Sequence, residues 1–386
     1  MKQFDPMEYQ PGMEEIDSDI LPQLKIHLHK CSLDDYTEED VRAALLSCAE
    51  GDCSPQAFGA LLSPAAEGFL EEMARCAQRE TRRWHGNNVS LYTPLYIANY
   101  CENHCSYCGF SCHHKIKRGK LSLEEIRREA EMLAATGLEE ILVLTGECRS
   151  QSSVAYIGEA ITLLKDYFGV IGIEIYPLNT DEYAHLQRCG ADYVSIYQET
   201  YDLNLYEQLH LRGPKRCYPY RFYAPERAFA GGMRGVSFGA LLGLGDFRRD
   251  CFAAGLHAFF TQKKYPQGEI AFSFPRIRPV APDPCSLTPD PCSERNLLQA
   301  MLAARLFMPF AGISISTRER PGFRDAAVRL AATKISAGVS VGVGGHSDEQ
   351  KGDPQFMLAD ERSVAEIREK LCENGLQPVF LDYIRM

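Results

Sequence analysis

From Asn88 onward the chain alternates short apolar runs with amphipathic stretches, and that alternation sets the expected fold. Strand ends are expected near Ala98, Thr145, Tyr176, Tyr197, Leu242, Phe274, Ser316 and Ser340. Between them, helical periodicity runs over residues 123–135, 154–167, 181–189, 249–262, 294–306 and 324–333. Eight strands alternating with helices predict an α/β fold, a (βα)8 barrel of TIM type, whose chemistry collects at the C-terminal ends of the strands. Ahead of the barrel, Thr37-Glu-Glu-Asp40 reads as an N-cap leading into Val41, Leu45 and Leu46, and a second helix runs from about Pro64 toward Arg82. The expected organisation is a helical extension over 1–85, a barrel over 86–345, and a C-terminal extension over 346–386 that packs on the barrel. The proline-rich run from Pro279 to Pro291 interrupts the later barrel as a lid or surface excursion.

Composition narrows the function classes. A chain of 386 residues that is 45% hydrophobic can bury one large core, and its net charge of −11 argues against nucleic acid or an anionic membrane as partner. With neither a signal segment nor an apolar run of spanning length, a cytoplasmic protein is expected. The fifteen cysteines form no disulfide framework.

Three of those cysteines sit at ligand spacing, in Cys101-Glu-Asn-His-Cys105-Ser-Tyr-Cys108. Iron-sulfur clusters usually take four thiolates, so three leave one iron of a cubane open to a substrate or cofactor. A zinc knuckle completed by His104 or Cys112, on a noncatalytic scaffold, is the bland alternative.

The cysteine loop, with Tyr107 before its last cysteine and Gly109-Phe110 after it, resembles that of the radical S-adenosylmethionine (SAM) superfamily. Tyr96-Ile-Ala-Asn-Tyr-Cys101, Thr145-Gly146-Glu147, Val194-Ser-Ile-Tyr-Gln-Glu-Thr200, Ser273-Phe-Pro-Arg276-Ile-Arg278-Pro279, Ser314-Ile-Ser-Thr-Arg318-Glu319 and Gly375-Leu-Gln-Pro-Val379 together resemble its aromatic amino-acid lyases, nearest the tyrosine lyases of thiazole biosynthesis. One departure stands out: where that group runs into Pro-Gly-Gly-Tyr, this chain has Gly342-Val-Gly-Gly345-His346.

The resemblance implies a [4Fe-4S] cluster on Cys101, Cys105 and Cys108, with SAM chelated at the open iron. It places Tyr107, Gly146, Glu147, Glu199, Arg221 and Gly239 around SAM: Glu147 on its ammonium, Glu199 on its polar groups, Arg221 toward its carboxylate, and Gly239 along the adenosine. Arg318 and Ser336 would clamp the substrate carboxylate, a task a guanidinium fork serves well. The implied reaction splits the Cα–Cβ bond of L-tyrosine into 2-iminoacetate and p-cresol. Flavodoxin or ferredoxin would be the electron donor, and thiazole synthase the receiver of the imine. Tryptophan lyase shares the barrel and the clamp. The lyase of hydrogenase maturation binds a second cluster through later cysteines, and since only Cys372 follows Ser336 that chemistry is not expected. The roles of Arg276, Arg278 and His346 stay open.

Overall fold

The computed structural model describes residues 5–278, 292–347 and 350–381. The proline-rich run from Pro279 to Pro291 lies outside the described residues. Eleven strands occur among them: β1 (Asn88–Ala98), β2 (His104–Cys105), β3 (Glu140–Thr145), β4 (Val170–Glu174), β5 (Tyr193–Ser195), β6 (His210–Arg212), β7 (Gly235–Phe238), β8 (Glu269–Ser273), β9 (Gly312–Ile315), β10 (Lys334–Ser336) and β11 (Gln377–Val379). Strands β1, β3, β4, β5, β7, β8, β9 and β10 pair in that order, all parallel, and the pairs Ser90↔Lys334, Leu91↔Ile335 and Tyr92↔Ser336 close the barrel.

The residues explain this arrangement. Glu140-Ile-Leu-Val-Leu-Thr145 is buried at every position, as a parallel strand with side chains in the lumen and helices outside must be. The outer helices begin at sequence-encoded caps: Ser122 with Glu125, Asn179 with Glu182, and Ser293 with Asn296 each form a reciprocal capping box. Thr37 and Asp40 do the same for Glu38–Ala49, whose Val41 and Leu45 are buried while Leu46 stays 70% exposed. The second expected N-terminal helix is Leu70–His85, preceded by a 3-10 turn over Pro64–Phe69. Helix Pro55–Leu62 drives Phe58 between barrel helices, its ring 4.3 Å from that of Phe307. A Cβ at Gly255 would come within 2.3 Å of the Phe58 ring, so that helix needs a glycine there.

Four strands stop earlier than expected, at Glu174, Ser195, Phe238 and Ser336. Beyond those points the chain leaves the ladder, and only single bridges such as Glu199↔Ala240 and Leu242↔Arg276 continue it. The residues freed from the ladder build the mouth. Strand β11, not anticipated, pairs Asn88–Ser90 with Gln377–Val379. Because β10 already occupies one edge of β1 at Ser90, β11 takes the edge that β3 joins only from Thr93. Below the mouth the lumen is a polar chamber lined by Ser90, Ser195, Ser237 and Ser314, where Glu140 bonds both Lys334 (2.5 Å) and the Tyr193 hydroxyl (2.8 Å). No helix of the described residues is long and apolar enough to cross a membrane.

Candidate active site at the barrel mouth

The loop that follows β1 is held as a ring by two polar side chains. Asn99 accepts from the Gly119 N–H (2.7 Å) and donates to the Lys117 (3.0 Å) and Asp353 (3.2 Å) carbonyls. Arg118 donates to the carbonyls of Asn99 (2.6 Å), Phe110 (2.8 Å) and Ser111 (2.7 Å). The antiparallel pair β2–β6 anchors Cys105 against His210. Thus braced, the loop turns Cys101, Cys105 and Cys108 toward one cavity, with Gly146, Glu147, Glu199 and Arg221 on its other walls. A Cβ at Gly146 would sit 2.2 Å from the Tyr100 carbonyl oxygen, so only glycine lets the end of β3 dock on the cysteine loop.

The donor set fits an open cubane better than a zinc knuckle. Among the described residues no fourth cysteine lines the cavity; Cys112 is exposed, and the His104 ring packs tilted against His113 at 4.1 Å. Among the described residues no three His, Cys, Asp or Glu side chains converge on a single ion, whereas a cubane spreads its thiolates over several irons. Burial, then Glu147 and Cys108, pushes the Cys101 thiol up to about 12, and burial raises Cys105 well above the ordinary range. Binding a cationic cluster reverses that tendency and releases the protons.

Beside the cysteines four charges interlock. Arg221 reaches Glu147 at 2.9 Å and Glu199 at 3.4 Å; Lys215 reaches Glu199 at 2.7 Å and Glu147 at 3.6 Å. Arg221 also donates to the Tyr197 carbonyl (2.6 Å), and Asn103 of the cysteine loop donates to Glu147 (2.8 Å). Burial pushes the Glu199 carboxyl up, but Lys215 and Arg221 outweigh it, and the net displacement is downward. Glu199 adopts φ 71°, the one left-handed non-glycine residue among those described. Such strain costs about 1–3 kcal/mol and persists only where the surroundings enforce it. Two carboxylates and two cations in one dry wall suit a ligand that carries ammonium, carboxylate and hydroxyl groups together. Lys215 escaped the sequence reading, since a lone lysine after Gly213-Pro214 carries no spacing signal. The Tyr107 hydroxyl donates to His210 Nε2 (2.8 Å), whose Nδ1–H is held by the Tyr206 carbonyl (2.8 Å), and Tyr107 lines the adjoining cavity.

That second cavity shares Tyr96, Cys108, Glu174, Tyr197, Glu199 and Lys215 with the first. Arg318 and Ser336 line it as well. The neighbours that might have neutralised Arg318 are committed elsewhere: Glu319 to Arg276 and Arg278, Asp325 to Arg362. The Arg318 guanidinium stacks on Phe356 and has no hydrogen bond or ion pair to another described residue. Arg324, paired with Asp360, donates to both the carbonyl and the hydroxyl oxygen of Ser336. With that lone pair occupied, the Ser336 hydroxyl proton is left to donate into the cavity. The structure therefore brings together ten of the eleven expected site residues.

Gly239 is the exception. It lines neither cavity, and a Cβ there would lie 1.9 Å from the Ser273 carbonyl oxygen and 3.1 Å from the Tyr197 ring, so close strand packing explains the glycine. His346 also lies outside both cavities; its Nε2 meets the Pro94 carbonyl at 3.2 Å and its N–H donates to Glu129 (3.0 Å), fastening the segment after β10 to the barrel. Arg276 donates to the Cys292 carbonyl (2.9 Å) besides pairing with Glu319, a structural task.

Comparison with known proteins agrees with this geometry. Residues 95–251 match the Radical SAM superfamily, and residues 273–377 the Biotin and Thiamin Synthesis associated domain. The chain is 39% identical to the 2-iminoacetate synthases of Salmonella typhimurium and Escherichia coli, over 84% of its own length and 86% of theirs. Among solved structures it superposes on the [FeFe]-hydrogenase maturase HydG of Carboxydothermus hydrogenoformans with a TM-score of 0.86 at 29% identity, covering 94% of this chain and 85% of that one. A methylornithine synthase shares the fold at TM-score 0.71 and 22% identity. The three thiols on an open cavity, the charge cluster beside them and these likenesses have one account: the chain belongs to the 2-iminoacetate synthase family of radical SAM lyases, which use a [4Fe-4S] cluster and SAM.

Proposed function

We propose that this enzyme cleaves the Cα–Cβ bond of L-tyrosine, yielding 2-iminoacetate and p-cresol, with methionine and 5′-deoxyadenosine as co-products. The observation that carries the reading is the unpaired Arg318 guanidinium facing, with the Ser336 hydroxyl, a cavity continuous with the cysteine wall. When bound, the cluster and SAM supply a carbon radical able to remove a hydrogen atom from the substrate. The protein's residues decide which hydrogen. Cys101, Cys105 and Cys108 would hold the cluster, while Glu147, Glu199, Arg221 and Lys215 would bind the polar groups of SAM. Arg318 and Ser336 hold the α-carboxylate at the opposite wall, which turns the α-amino group toward the reacting side and leaves the ring to Leu142, Leu144, Val339 and Val341. Hydrogen removal at that nitrogen, rather than at the ring, weakens the Cα–Cβ bond.

The imine hydrolyses readily, so a receiving enzyme is part of the proposal: thiazole synthase, with flavodoxin or ferredoxin as reductant. Anaerobic incubation of reconstituted enzyme with SAM, a reductant and either tyrosine or tryptophan is the test. p-Cresol and 5′-deoxyadenosine are expected from tyrosine; an indole product from tryptophan with nothing from tyrosine would overturn the assignment.

A further inference from the structure

Once the four interlocked charges are paired off and Arg278, which also lines the second cavity, is matched to Glu319, the described residues of the two cavities retain one cation and one carboxylate. The cation is Arg318. The carboxylate is Glu174, the last residue of β4, which lines both cavities and whose side chain makes no hydrogen bond or ion pair with another described residue. Glu174 is half-buried at the strand end, and carboxylates drawn out of water are ordinarily paired, because an isolated charge there is expensive. A guanidinium and a carboxylate left over in one chamber form the complement of a zwitterion.

We infer that Glu174 receives the α-ammonium group of the substrate and takes its proton, while Arg318 and Ser336 hold the α-carboxylate. This rests on the reading that the cavity binds an amino acid. In the proposed step one N–H bond of the ammonium breaks heterolytically. The electron pair stays on nitrogen, giving the neutral amine, and the proton becomes the acid hydrogen of Glu174. No oxidant or reductant takes part, and total charge is conserved.

The groups facing Glu174 support this. Burial, then Glu199, pushes its carboxyl up to about 7, against the pull of Arg318, Arg221 and Lys215. Tyr92, Tyr96 and Tyr197 feel its charge but are themselves raised, chiefly by burial, and remain neutral hydroxyls. A carboxylate poised near neutrality can both accept a proton and later return it.

The test is equilibrium binding to reconstituted enzyme with SAM present, without reductant, so that no turnover intervenes. L-Tyrosine is compared with 3-(4-hydroxyphenyl)propionate, which lacks only the amino group. Glu174→Gln is expected to weaken tyrosine at least about tenfold while leaving the desamino acid within about twofold. Wild-type affinity for tyrosine should fall as pH drops through about 7, where Glu174 gains a proton, and this dependence should vanish in Glu174→Gln. Equal weakening of both ligands, or of neither, with wild type still binding tyrosine, overturns the role of Glu174 and leaves the proposed substrate standing. Failure of wild type to bind tyrosine at all overturns both.

Discussion

The guanidinium carbon of Arg318 lies 3.6 Å from the ring centroid of Phe356, a residue that arrives from the segment after the barrel. Stacking fixes the plane of the guanidinium while leaving its N–H edge free for a ligand. Desolvation lowers the Arg318 pKa from its ordinary value, which marks how dry the clamp is. Phe356→Ala should raise KM for tyrosine about three- to thirtyfold, the span of a partly desolvated cation–π contact, with kcat much less affected. Steady-state kinetics on both variants would separate this from Arg318→Lys, which loses the bidentate fork and should lower kcat/KM further.

Glu319, 2% exposed, holds Arg276 and Arg278 and so keeps two cations from crowding Arg318. Removing one member of a buried ion-pair group leaves its partners uncompensated, at a cost of about 3–5 kcal/mol. Glu319→Gln should therefore unfold at markedly lower denaturant concentration, whereas Glu373→Gln, in an exposed pair with Lys370, should shift the midpoint hardly at all. Urea titration followed by circular dichroism checks both.

Strands carrying continuous apolar runs, such as β3, were legible because burial on both faces leaves its mark on every residue. The Thr37–Asp40 cap made one helix start legible too. Strand β11 was not: three residues including a proline have no period, and its place depends on an edge of β1 that only the closed barrel exposes. The cysteines announced themselves by spacing and Glu147 by its strand end. Glu174 and Lys215 came to light only when the barrel brought separate strands and loops to one wall, because a single charged residue at a strand end reads like any surface group. Gly239 illustrates the converse, a residue whose motif suggested ligand contact but whose backbone answers to strand packing.

The cysteine loop makes a selective prediction about metal. Cys101→Ala, Cys105→Ala and Cys108→Ala should each lose the reducible 4Fe-4S electron paramagnetic resonance signal and most of the iron after anaerobic reconstitution. Cys112→Ala and His104→Ala should retain both, since neither residue lines the cavity. One equivalent of zinc with no 4Fe-4S signal in the wild-type protein, and loss of that zinc in Cys112→Ala or His104→Ala, would reinstate the zinc-knuckle alternative.

Asp250 gives a pH-dependent prediction outside the reaction itself. Its Oδ1 accepts from the Tyr201 N–H (2.7 Å) and the Thr200 hydroxyl (3.1 Å), securing the chain directly after Glu199. Burial pushes the carboxyl up to about 7 despite those bonds. Because the folded state then holds a proton that the unfolded state has already lost, stability contributed here is greatest at low pH. It declines as pH rises from the ordinary aspartate range toward 7. Asp250→Asn keeps an oxygen acceptor for both bonds and removes the buried charge, so at pH 8 it should stabilise the fold by about 1–3 kcal/mol. At pH 5, where wild-type Asp250 is already neutral in the folded protein, part of that gain should disappear. Thermal unfolding of both proteins at the two pH values tests the sign: a mutant less stable at pH 8 than wild type would mean that the ionised carboxylate is the form these two donors hold.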